Sequence, residues 1–238
     1  MAKRRKVFPG HTPPAGMINV DSKAYGPHLR ATRGSKSRAE LNDAMKKHGQ
    51  RLLASAIPAK LIRDALIPFR TNFTGGQLWQ KLMKHFARQA KEGRDYSVTG
   101  IVNWDLNNEY PTSRLMYPPV KISRTESVSE LFVELSYFFS DRFLERKNSI
   151  TGFQITVIFL FPDFIRNEII VIPNQLPVKP LEDNATYSFI QPIPEGGESF
   201  LVCFKAEACE NGFQIKDSGN VNKAMCLLES GFTNTVGS

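Results

Sequence analysis

The chemistry-bearing side chains of this chain are few, and their spacing excludes more than it offers. Histidine occurs at 11, 28, 48 and 85, so residues 96–238 lack the commonest general base and metal ligand. A Ser-His or Cys-His nucleophile is therefore not expected there. Cys203, Cys209 and Cys226 show no Cys-x-x-Cys spacing and nothing that would lower a thiol pKa, which argues against a zinc knuckle, a disulfide framework and a reactive thiol. Asn103, Asp105, Asn107 and Glu109 alternate oxygen ligands as a calcium loop does. However, the sixth position is Asn108 rather than Gly and the twelfth is Arg114 rather than Glu, so the segment reads as a polar connection. Thr74-Gly75-Gly76 and Glu195-Gly196-Gly197-Glu198 lack the spacing and lysine of a phosphate loop and read as turns. Glu134, Asp141 and Glu145 form no acid/base pairing along the chain. Neither a metal nor a cofactor is implied.

What survives is charge. Residues 1–95 carry 20 Lys or Arg against 6 Asp or Glu (net +14), and the remainder carries 11 against 17 (net −6), which together give the net +8 of the chain. Cations gathered at one end of a chain concentrate anions there, so the partner class implied is a polyanion, above all nucleic acid. Three clusters are candidates: Lys3, Arg4, Arg5 and Lys6; then Arg30, Arg33, Lys36 and Arg38; then Lys81, Lys84, Arg88 and Lys91. Such side chains grip a phosphate backbone whatever the base sequence. Base reading is not expected from the arm, because only Phe8 and Tyr25 interleave its cations. Basic tails and helix faces also serve solubility or docking onto an acidic protein surface, and that second reading has equal weight.

The elements that must carry these residues divide the chain in three. Residues 1–36 mix Lys/Arg with Pro, Gly, Ser and Thr and predict an extended basic arm. In residues 37–95, Ser37 and Glu40 match a capping box opening a helix over Arg38–Ala56, with Leu41, Met45, Leu52 and Leu53 inward. A second short helix over Ala59–Ile67 follows Pro58, with Leu61, Ile62, Ala65 and Leu66 inward. A third runs from Thr74 to Ala90 and ends at Gly93. Leu78, Leu82, His85 and Phe86 form its core stripe, Trp79 and Met83 widen it, and the cations lie opposite.

From Tyr96 the period becomes two. Strands are expected at Tyr96–Val102, Val120–Ser123, Glu130–Phe139, Gly152–Phe161, Glu168–Ile172, Ala185–Ile190, Ser199–Ala208, Phe213–Lys216 and Ala224–Leu228. Asn211-Gly212 predicts a tight hairpin turn, and Pro173–Pro180 a linker or edge loop. The class is α+β: a basic arm and small helical unit before an antiparallel, immunoglobulin-like β-sandwich spanning 96–238. Prolines 9, 13 and 14 interrupt any leader after the first cations, and the longest apolar run, Ile155–Phe161, is too short to span a bilayer. A cytoplasmic protein without membrane contact is expected, with homo-oligomerisation left open.

Pro68-Phe69-Arg70, Gly75-Gly76-Gln77-Leu78-Trp79-Gln80 and Tyr110-Pro111-Thr112-Ser113-Arg114-Leu115, within residues 68–116, resemble members of an uncharacterised bacterial protein family. The resemblance implies no particular activity. The residues themselves favour a non-enzymatic binding or assembly protein whose basic N-terminal region meets nucleic acid or a nucleoprotein assembly, while the sandwich makes protein contacts. The alternatives are a component of a phage-like or other particle with a subunit-docking arm, and an enzyme whose carboxylates meet only in three dimensions.

Overall fold

The computed structural model describes residues 12–13, 15–22, 26–31, 42–70, 77–108, 110–114, 116–117, 120–124, 129–139, 150–180, 185–214 and 223–233. The chain divides into two compact units, Met1–Lys47 and His48–Ser238. In the first, β1 (Met17–Ser22) and β2 (Gly26–Ala31) form an antiparallel hairpin with Met17 opposite Ala31 and Ser22 opposite Gly26. The arm expected over residues 1–36 is therefore not merely extended: Met17–Ser22 and Gly26–Ala31 pair as strands. Local cross-strand bonding needs little apolar area, which composition alone does not register.

Helix α1 (Asp43–Leu66) replaces the two expected helices. Asn42 starts it, its Oδ1 accepting the Met45 N–H at 2.8 Å, whereas Ser37 and Glu40 lie outside the described residues. Pro58 sits inside the helix rather than opening one. A proline there costs about 3 kcal/mol in an isolated helix, but Pro58 is buried with Ala59, Ile62 and Leu66, and this packing outweighs the lost backbone bond. The expected inward stripe is also corrected. Met45, Leu52 and Leu53 are 57%, 37% and 74% exposed, and the buried face begins at Ser55.

Helix α2 (Leu78–Glu92) follows the sequence closely. Leu78, Leu82, His85 and Phe86 are buried as their spacing predicts, and Gly93 ends the helix in the left-handed region at φ 69°. The segment expected as a strand at Tyr96–Val102 is instead an irregular connection, in which Ile101 N–H bonds Val98 O at 2.9 Å and both side chains are buried.

The remaining strands are β3 (Trp104–Asp105), β4 (Met116–Tyr117), β5 (Val120–Arg124), β6 (Glu130–Phe139), β7 (Gly152–Asp163), β8 (Glu168–Gln175), β9 (Lys179–Pro180), β10 (Ala185–Pro192), β11 (Ser199–Glu210), β12 (Phe213–Gln214) and β13 (Lys223–Phe232). All pairings are antiparallel. The larger sheet runs β3-β13-β11-β7-β8, with β12 on β11 and β9 on β7; the smaller runs β10-β6-β4, with β5 on β6. Asn211 and Gly212 take φ of 50° and 84° and join β11 to β12, the hairpin that the dipeptide predicts. Pro173 lies within β8 rather than in a linker, opposite Ile158. An edge strand tolerates the missing N–H because only one of its sides is bonded.

Both faces of the larger sheet are covered. Val157, Phe159, Val202, Phe204 and Leu228 meet Leu131, Val133 and Leu135 of the smaller sheet. Ile158, Leu160, Leu201, Cys203, Met225 and Leu227 meet Ile62, Leu66, Leu82 and Phe86 of the helices. Two-sided burial explains why β7 reads as a nearly unbroken apolar run.

Candidate nucleic-acid interface

The cationic face of α2 is held in place by the face opposite. Leu78, Leu82, Phe86 and Gln89 are buried, which turns Lys84, Arg88 and Lys91 outward at intervals of three and four residues. At 1.5 Å of rise per residue this ridge is about 10 Å long. Lys84 and Lys91 have no carboxylate within 4 Å among the described residues. Arg88 Nε lies 3.9 Å from Glu92 Oε1, and Arg94 also pairs with Glu92. These exposed pairs are weak and screened, so the ridge keeps its positive sign.

Lys81 departs from the expected stripe. It is half-buried at the flank of the helix, its Nζ 5.9 Å from the centre of the Trp104 ring on β3. A similar pair lies between the helices, where the Arg63 guanidinium sits 5.0 Å from the Trp79 ring centre and bonds Asp64 Oδ1 at 2.6 Å. Sequence reading missed Arg63, Arg94 and Trp104, because no spacing rule links them to α2.

Of the other expected contacts, Arg30 is exposed on β2, opposite Ile18. Lys3, Arg4, Arg5, Lys6, Arg33, Lys36 and Arg38 lie outside the described residues.

His85 has a structural role beneath the ridge. Its Nε2 lies 2.9 Å from Ser97 O and 3.1 Å from Gln89 Nε2, while the Gln89 amide donates to Ser97 O at 2.9 Å and accepts the Ser97 N–H at 3.0 Å. Ser97 O can only accept, so Nε2 carries the proton, and the ring ties α2 to the connection after Gly93. Burial pushes the His85 pKa below its usual value, helped by the charges of Arg88 and Arg94 and opposed by the bond to Ser97.

No group of three His, Cys, Asp or Glu among the described residues could hold a metal ion. Asp105 Oδ1 accepts the Thr112 N–H at 2.9 Å, and Asn107 donates to Lys223 O at 2.6 Å while accepting the Tyr110 N–H, so these two side chains are engaged with backbone groups of the connection and of β13. All three cysteines are buried and unpaired. Burial raises the Cys203 thiol well above its usual range, raises Cys209, and pushes Cys226 up to about 12, the opposite of an activated nucleophile. No helix among the described residues is long and apolar enough to cross a membrane. Compared with protein-family models, curated proteins and solved structures, the chain matches none.

Proposed function

We propose that this is a non-enzymatic binding or assembly protein whose basic N-terminal half grips the phosphate backbone of nucleic acid, free or in a nucleoprotein assembly, with little sequence preference. The observation that carries the reading is the outward ridge of Lys84, Arg88 and Lys91 on a helix whose other face is locked into a core. Seated in this way, the cations lose less freedom on binding than they would on a free tail. The +14 of residues 1–95 adds a longer-range attraction.

The two facing antiparallel sheets are the scaffold and the surface for protein contacts in this reading. Its immunoglobulin-like character rests on the chain passing between the sheets from β6 to β7, from β9 to β10 and from β10 to β11. Three unpaired cysteines favour a reducing, cytoplasmic setting. A second reading, a particle subunit that docks on its neighbours, is favoured by the exposed Leu52, Leu53 and Ile57 on α1.

Titration against mixed-sequence DNA and RNA at three salt concentrations tests the first reading. With roughly 6–10 phosphate contacts, affinity falls about 10³- to 10⁵-fold between 50 and 200 mM salt. Absence of binding at the lowest salt, together with a salt-insensitive oligomer, replaces it with the particle reading.

A further inference from the structure

The larger sheet carries a group of charges at one end of its helix-facing side, beyond the apolar Leu201, Cys203, Met225 and Leu227. Lys205 and Glu207 follow Leu201 and Cys203 on the helix-facing side of β11, and Lys223 of β13 pairs with Glu207 in register. Lys205 Nζ lies 2.8 Å from Glu207 Oε2 and Lys223 Nζ 4.0 Å from Oε1. The three side chains are only 11%, 10% and 12% exposed for Lys205, Lys223 and Glu207. Removing an ion from water costs several kcal/mol and is offset only by close partners of opposite charge. Here two ammonium groups share one carboxylate, and no other carboxylate among the described residues comes within 4 Å of either.

Thr156 stands opposite Lys205 in the β7–β11 register and adds a hydroxyl. Each lysine has three N–H donors, of which one carboxylate cannot occupy all six. Neither lysine serves the ridge on α2.

We propose that Lys205 and Lys223, with Glu207 between them and Thr156 beside them, form a binding site for a small oxyanion of the phosphate class. A bound anion adds a second negative charge beside the two ammonium groups and accepts hydrogen bonds from them. Glu207 keeps the two lysines apart when the anion is absent and weakens the site when it is present. The anion is either free phosphate or the phosphate group of a larger ligand.

The test is thermal unfolding of the full-length protein in inorganic phosphate against chloride of equal ionic strength, repeated with a mononucleotide. Phosphate raises the midpoint in a saturable way. A gain with inorganic phosphate alone assigns the free ion, and a larger gain with the mononucleotide assigns a phosphoryl group of a larger ligand. Lys205→Met/Lys223→Met abolishes the gain. Glu207→Gln strengthens phosphate binding about tenfold, because one opposing charge is gone. Glu207→Gln loses stability in chloride under either reading, and a purely structural ion cluster shows no gain in phosphate. Replacing Lys3, Arg4, Arg5 and Lys6 by Gln leaves the phosphate effect intact, which separates this site from the basic arm. Equal midpoints in phosphate and chloride, or an undiminished phosphate gain in the double lysine variant, overturn the proposal.

Discussion

His85 shows how a single residue changes meaning between chain and fold. On α2 (Leu78–Glu92) it extends the apolar stripe, and in the structure it is both buried and bonded. Its folded pKa is lowered, so the unfolded chain binds its proton more readily. This contribution to stability is complete above the ordinary histidine value of about 6.5 and is lost as pH falls from there toward the folded value. Urea denaturation at pH 7.5, 6.5 and 5.5 should show a falling midpoint, with a shallower fall in His85→Asn. Equal slopes for the two proteins would place the ring outside the folded core.

At the scale of elements, α1 and α2 obey the same periodicity rule with opposite success. For α2 the apolar stripe has one reading and one sheet face to cover. For α1 (Asp43–Leu66) two stripes coexist, one through Leu52 and Leu53 and one through Ser55, Ala59, Ile62 and Leu66. Local pattern cannot rank them, because the choice depends on which stripe reaches Ile158, Leu201 and Leu227 on the larger sheet. Replacing the buried Phe86 by Ala should cost about 3–5 kcal/mol, whereas Leu53→Ala should stay within about 0.5 kcal/mol of the parent. Chemical denaturation of both variants distinguishes these outcomes, and comparable losses would return Leu53 to a core.

At the scale of the molecule, the basic surface and the packed interior are separable. Lys84, Arg88 and Lys91 touch neither core, so replacing all three by Gln should leave the thermal midpoint nearly unchanged. In the nucleic-acid reading the same variant lowers the steepness of log K against log salt by about 3 units on duplex DNA. Fluorescence anisotropy across salt concentrations measures that slope. An unchanged slope assigns the binding to other cations.

The chain alone determined most elements whose burial is one-sided or whose turns are chemically obligatory. The strand at Glu130–Phe139, the α2 core stripe, the Gly93 stop and the Asn211-Gly212 turn all follow from local rules, because short-range sterics and period decide them. The outward placement of Lys84, Arg88 and Lys91 was legible for the same reason, and that of Lys81 was not. Tertiary packing decided the rest. It carried Pro58 through a helix, kept Pro173 on a sheet edge, and made a loop of Tyr96–Val102 despite its strand-like residues. It also drew Lys205, Glu207 and Lys223 together. Along the chain, Lys205 and Glu207 alternate with alanines as on any solvated strand face. Only the pairing of β11 with β13, set by strands distant in sequence, adds Lys223 to them.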